Sequence, residues 1–146
     1  MKKILVAYDG SEAATKAIDM TLKCTQSDDE ISLLTVIPAE LIESSFTKML
    51  LPTIDLSSMV KSGTFKEKAM QTVDKVAEKF KGSAKKVESI VEAGDAADEI
   101  LLTAKKHNID LIIVGYKGYG KEGRFLIGSV TDKIVRHATC SVMVVR

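Results

Sequence analysis

The residues best suited to chemistry lie late in the chain, from Val114 to Thr131 (VGYKGYGKEGRFLIGSVT). Five of the nine glycines fall here: Gly115, Gly118, Gly120, Gly123 and Gly128. Glycine lets a backbone adopt positive φ and come close to a ligand. The stretch follows an apolar run and ends where a helical pattern begins at Ser129. A glycine-rich turn feeding a helix N-terminus presents backbone amides and the positive end of the helix dipole, which together favour phosphate. The Ser129 hydroxyl adds a donor, and Lys117, Lys121 and Arg124 add cations. Between Lys117 and Arg136 five basic residues face two acidic ones, a local +3 in a chain of net charge +1. Such a segment attracts an anion although the whole chain has no basic bias. The plain alternative is a chain that merely turns, with Ser129 capping its helix.

Other chemistries find less support. There is no G-x-x-x-x-G-K-[ST] pattern, so this is not a P-loop. Gly118-Tyr119-Gly120-Lys121-Glu122-Gly123 fits G-x-G-x-x-G, but it does not follow the first strand, and no acidic residue closes the downstream strand. A dinucleotide site is therefore rejected. Cys24 and Cys140 form no C-x-x-C and share no short spacing with His107 or His137, so zinc and redox motifs are absent and two reduced thiols are expected. His107 and His137 fall near helix C-termini, where the helix dipole favours them.

The elements that must hold these residues follow from periodicity. Ile4–Tyr8, Ile31–Ile37, Leu111–Val114 and Val142–Val145 are apolar runs that suit strands buried on both faces of a parallel sheet. Val87–Val91 is more polar and reads as an edge strand. Between the runs the period becomes helical. After Ser11, an N-cap, come Ala14, Ala17, Ile18, Thr21 and Leu22. From Thr64 the stripe is Phe65, Ala69, Val73, Val76, Ala77 and Phe80, with Thr64 and Glu67 at capping-box spacing. After Gly94 and Asp95 it is Ala97, Ile100, Leu101 and Ala104. The last helix is expected to start at Ser129, capped with Asp132, and to bury Val130, Ile134, Val135 and Ala138.

The pattern reads as strand–helix five times over, with a strand to close. It implies an α/β fold: an open five-stranded parallel sheet with helices on both faces, Rossmann-like, with right-handed crossovers. Ligands then bind at the carboxyl ends of the strands, just after Tyr8, Ile37 and Val114. The connection from Pro38 to Gly63 is long. Its apolar residues (Leu41, Ile42, Phe46, Met49, Leu50, Leu51), with Pro52 and Met59, suit a lid or a covering insertion equally.

The chain has 146 residues, which is one domain, 1–146, at roughly 150 residues per domain. Lys plus Arg is 21 and Asp plus Glu is 20, a balance that argues against nucleic acid as partner. The apolar run Ile4–Tyr8 is too short for a signal peptide or a membrane span, so no membrane association and a cytoplasmic location are expected.

Gly115-x2-Gly118-x9-Gly128-Ser129 matches the G-x2-G-x9-G-[ST] signature, and on it the chain resembles the ATP-binding universal stress proteins. The opening KKILVAYDGSE and the closing SVTDKIVRHATCSVMVVR also look like that family. A departure is Cys140-Ser141-Val142, where the family often has C-P-V. The resemblance implies an adenine nucleotide, ATP, with Ala7, Asp9 and Val36 around adenine and ribose. It places Gly115 and Gly118 against ribose and the first phosphates, with Gly120 and Lys121 in the same loop. Gly128, Ser129, Val130 and Thr131 would take the phosphate tail, with Mg²⁺ bridging phosphate oxygens. From the residues alone, Asp9 could instead cap the following helix, and Val36 could be a core valine.

Three functions stay open. One is an ATP-binding stress-response switch with slow or no hydrolysis. Another is a slow ATPase or nucleotide-dependent transferase, against which stands the lack of a placed general base or of an S-G-G-x-[DE]-S loop after the first strand. The last is an interaction module without nucleotide. An apolar terminal strand Val142–Val145 at a sheet edge would pair with a second copy, giving a homodimer, and the resemblance implies the same.

Overall fold

The computed structural model describes residues 1–39, 64–117 and 126–146. It contains β1 (Lys3–Ala7), α1 (Glu12–Cys24), β2 (Glu30–Pro38) and α2 (Thr64–Ala77), which ends in a 3-10 turn (Glu78–Phe80). Then come β3 (Lys86–Gly94), α3 (Ala96–Lys106), β4 (Leu111–Gly115), α4 (Ser129–His137) and β5 (Ser141–Val145). Among the described residues the alternation thus runs four times before the closing strand, not five.

The strands form one parallel sheet in the order β3-β2-β1-β4-β5. The apolar runs are strands because both faces are covered. Along β1, Ile4 and Val6 join one core and Leu5 the other, as the two-residue period of a strand requires. On the first face α1 and α2 supply Ala17, Ile18, Val73 and Val76, with Phe80 from the 3-10 turn. On the second, α3 and α4 supply Ala97, Ile100, Ala104 and Ile134. Each fully buried Ile, Leu or Phe contributes roughly 1.5–3 kcal/mol. β3 lies at an edge, as its polar pattern anticipates, and β5 at the other.

Chain order explains where a site can form. From β1 the chain steps outward to β2 and β3, then returns to β4 on the other side of β1. The carboxyl ends of β1 and β4 flank this switch point, where helices diverge and leave a crevice.

Several local expectations need correction. Pro38 is the last residue of β2, opposite Gly94, so the long connection starts one residue later. Its Phe46, Met49, Pro52 and Met59 lie outside the described residues, as does the lid or insertion read there. Ser129 does not cap α4. It is the first helical residue, and Gly128 holds the cap position with no side-chain bond. Asp132 accepts instead from Arg136 Nε at 2.9 Å. The face of α4 is also turned. Thr131 and Ile134 are buried, while Val130 and Val135 are 39% and 49% exposed. The cause is the Thr131 hydroxyl, which donates to the Gly115 carbonyl at 2.8 Å and holds that side of the helix to the sheet.

Asp29, which no sequence motif marks, is fully buried at the amino end of the sheet. Its carboxylate accepts from the backbone N–H of Lys2 (2.8 Å) and of Gln26 (3.0 Å), so the buried charge is satisfied by main-chain donors.

Candidate functional site

A cleft of about 230 Å³ opens past the ends of β1, β2 and β4, beside α3 and α4. Ala7 ends β1 at its floor. The chain then turns through Asp9-Gly10-Ser11, and Gly10 takes φ +80, a conformation that favours glycine. Asp9 Oδ1 accepts from the Ser11 N–H at 2.9 Å, and Ser11 Oγ accepts from the Ala14 N–H at 3.1 Å. Asp9 therefore braces the turn, Ser11 caps α1, and both line the cleft.

On the β2 side the wall is apolar, formed by Leu34, Val36, Ala96 and Ile100. Val36 has a further property. The Tyr8 N–H donates to the Leu34 carbonyl at 2.8 Å, so Leu34 directs its peptide groups toward β1. Two residues on, Val36 directs its N–H and C=O the same way, beyond the last paired residue of β1. The next regular acceptor for Val36 would be the Tyr8 carbonyl, which here accepts the Thr35 hydroxyl at 2.7 Å. A donor and an acceptor of the β2 backbone thus face the cleft side by side.

On the β4 side the wall is polar. Gly115, Lys117, Gly128, Ser129, Val130 and Thr131 line it. The N–H groups of Ser129, Val130 and Thr131 open α4, and the first turn of a helix has no internal acceptors for them. α1 and α3 have side-chain caps, from Ser11 and Asp95; α4 does not. The Thr131 hydroxyl is engaged by Gly115, so the backbone is what Thr131 can offer a ligand. The base of the glycine-rich segment is closed, with Gly128 N–H donating to the Tyr116 carbonyl at 2.8 Å.

The structure thus brings Ala7, Asp9, Val36, Gly115, Gly128, Ser129, Val130 and Thr131 to one cleft. Gly118, Gly120 and Lys121 lie outside the described residues, with Gly123 and Arg124. The two described glycines of the motif owe their identity to close approach, not to positive φ. A Cβ on Gly115 would stand 2.6 Å from the Ala13 carbonyl carbon of α1. Gly128 has φ −62 and ψ 148, open to any residue, but a Cβ there would stand 3.0 Å from Lys117 Cα.

The local excess of positive charge is smaller than a count along the chain implies. Lys133 bridges Asp98 (2.8 Å) and Asp95 (3.2 Å) across to α3, and Arg136 pairs with Asp132. The Asp98 N–H, and then Lys133, hold the Asp95 carboxyl below the ordinary carboxylate range, while Asp98 and Asp95 raise the Lys133 ammonium. Among the described residues Lys117 is the cation that lines the cleft, with its ammonium 5.5 Å from the Tyr116 ring centre. Ile100 belongs to the apolar stripe of α3, and Ala96 is a small residue beside it, so neither is marked as a cleft residue by its type. Nothing local says that this helix leans over the cleft.

Among the described residues no three His, Cys, Asp or Glu side chains gather to hold a metal, and no helix is long and apolar enough to cross a membrane. Fold and cleft define a class: an open parallel α/β protein with a small-molecule site at the carboxyl ends of its strands. The universal stress protein family model matches residues 1–146, and the chain belongs to that family. It is 31% identical to the universal stress protein YxiE of Bacillus subtilis (strain 168), covering 99% of this chain and 98% of that one. Its fold is similar to that of the protein MJ0577, with a TM-score of 0.82 at 27% identity over 99% of this chain and 94% of the other. It is also similar in fold to an Arabidopsis thaliana universal stress protein family protein with AMP bound, with a TM-score of 0.66 at 23% identity over 99% and 91%.

Proposed function

We propose that this protein binds ATP in the cleft and acts as a nucleotide-dependent switch in stress response, hydrolysing the nucleotide slowly or not at all. The observation that carries this reading is the uncapped start of α4 on one wall of a cleft whose opposite wall is apolar. A nucleotide laid across β1 satisfies both walls. The base lies against Leu34, Ala96 and Ile100, and the donor and acceptor of Val36 match the adjacent amino group and ring nitrogen of adenine. Asp9, with one oxygen given to the Ser11 turn, offers the other to ribose. The phosphates meet the amides of Ser129, Val130 and Thr131, the family signature adds Gly118, and Gly120 and Lys121 join from between its fixed positions. Asp9 is the carboxylate among the lining residues, which suits Mg²⁺ carried on phosphate oxygens rather than held in a protein cage.

Slow or absent hydrolysis is supported by the ionisable groups that line the described cleft. They are Tyr8, Asp9 and Lys117, and Asp9 already serves the turn. A cytoplasmic, one-domain protein that pairs as a homodimer through β5 completes the reading, with no nucleic acid as partner. The test is to purify the protein, identify co-purifying nucleotide, and measure ATP affinity with and without Mg²⁺. Tight binding with little turnover is the expected result. Rapid turnover would make it an ATPase, and no binding would leave an interaction module.

A further inference from the structure

Lys117 combines three properties that neither the motif nor the fold assigns a purpose. It lines the cleft on the wall where α4 begins. Its backbone is packed on that start, since a Cβ on Gly128 would stand 3.0 Å from Lys117 Cα and 3.4 Å from Lys117 Cβ. Its ammonium rests on an aromatic face, 5.5 Å from the Tyr116 ring centre, and among the described residues it forms no ion pair.

The ring is a shared and therefore weak partner. The Arg146 guanidinium lies 5.3 Å from the same ring centre. Two like charges drawn to one quadrupole oppose each other, so each is held less firmly than it would be alone. A phosphate oxygen offers Lys117 a full negative charge and a charge-assisted hydrogen bond, a stronger partner than a ring face. Lys133, the cation one turn into α4, is occupied by Asp95 and Asp98. The described cleft therefore has a single transferable positive charge, beside the amides that receive the phosphates.

We propose that Lys117 reads the phosphate charge of the ligand, leaving the Tyr116 ring for a phosphate oxygen, and so sets the preference for phosphorylated nucleotide over nucleoside. The proposal rests on the nucleotide reading of the cleft. It makes Lys117 a specificity-determining residue and leaves recognition of the base to the β2 wall.

The test is calorimetric titration of the full chain with ATP and with adenosine. Three proteins are compared: wild type, Lys117→Met, which keeps the stem, and Lys117→Arg, which keeps the charge. Lys117→Met is expected to weaken ATP about tenfold and to leave adenosine within about twofold, while Lys117→Arg stays close to wild type for both. The ATP affinity of wild type should also fall more steeply with added salt than that of Lys117→Met. Equal effects of Lys117→Met on ATP and adenosine, or no effect on either, overturn the role given to Lys117. If wild type binds ATP, such a result overturns that role alone. A wild-type protein that binds neither ligand overturns the nucleotide reading as well.

Discussion

Gly115 and Gly128 belong to one motif, yet a methyl group should harm them in different ways. In Gly115→Ala the new carbon would stand 2.6 Å from the Ala13 carbonyl carbon and 2.8 Å from both its Cβ and its oxygen. Carbon atoms rest at about 3.5–4.0 Å, so the overlap is about 1 Å against main chain of α1. α1 cannot simply retreat, because Ala17 and Ile18 beyond Ala13 are fully buried in the first core. Overpacking of this kind costs about 1–3 kcal/mol, and a clash with helix backbone belongs at the upper end, about 3. In Gly128→Ala the nearest atoms are Lys117 Cα at 3.0 Å, Lys117 Cβ at 3.4 Å and the Tyr116 oxygen at 3.5 Å. The neighbours must give by a few tenths of an ångström, a cost of about 1 kcal/mol. That methyl, however, displaces Lys117 at the phosphate wall, and ATP affinity should fall about tenfold. Urea denaturation followed by circular dichroism separates the two. At a slope of about 1.5–2 kcal/mol/M, Gly115→Ala should lower the midpoint by about 1.5–2 M and Gly128→Ala by about 0.5 M. Calorimetry on the folded proteins gives the affinities. The reasoning is refuted if Gly115→Ala is as stable as wild type, or if Gly128→Ala is the more damaging to stability.

Other expectations follow from named contacts. Asp29→Ala strands the N–H groups of Lys2 and Gln26 at a buried position and should cost about 2–4 kcal/mol in denaturant titration, with ATP affinity of the folded protein unchanged. The Lys133 pair should show in a pH series. The Asp95 carboxyl is held low, so its stabilisation is present above the ordinary carboxylate range and is lost as pH falls through the lowered value. The Lys133 ammonium is raised, so its stabilisation is present below the ordinary lysine range and is lost only as pH rises through the raised value. Lys133→Met should therefore lower the urea midpoint around neutral pH and approach wild type as pH falls through the lowered Asp95 value. Val144 on β5 is 38% exposed, and Val144→Lys should convert a dimer to a monomer in sedimentation at micromolar concentration, while a wild-type monomer would remove β5 pairing from the reading.

The sheet was legible because its strands are buried on both faces, which forces unbroken apolar runs such as Ile4 to Val6 and Ile112 to Val114. α1 was legible to its cap, since Ser11 and the apolar period agree. What escaped depends on partners distant in sequence. Lys133 looked like a free cation because Asp95 and Asp98 sit on another helix. The packing role of Gly115, beside its place on the cleft wall, was hidden because Ala13, which forbids a Cβ there, is distant in sequence. The helix does start at Ser129, but Ser129, a good cap residue by type, is its first helical residue and Gly128 holds the cap position. Asp29 sits among polar turn residues, and nothing local marks it as buried.

The tie between Gly128 and Tyr116 has a meaning for how such a protein diversifies. Tyr116 N–H is held by the Val145 carbonyl at 2.7 Å, and its own carbonyl holds Gly128 at 2.8 Å. The end of β5 and the start of α4 are therefore fastened to one residue just past β4. These two bonds are made by main-chain groups alone, so they fix neither side chain. The side chains of Tyr116 and of the neighbours of Gly128 can thus be rewritten, by selection or by a designer, while the main-chain tie between the last strand and the last helix keeps its specification.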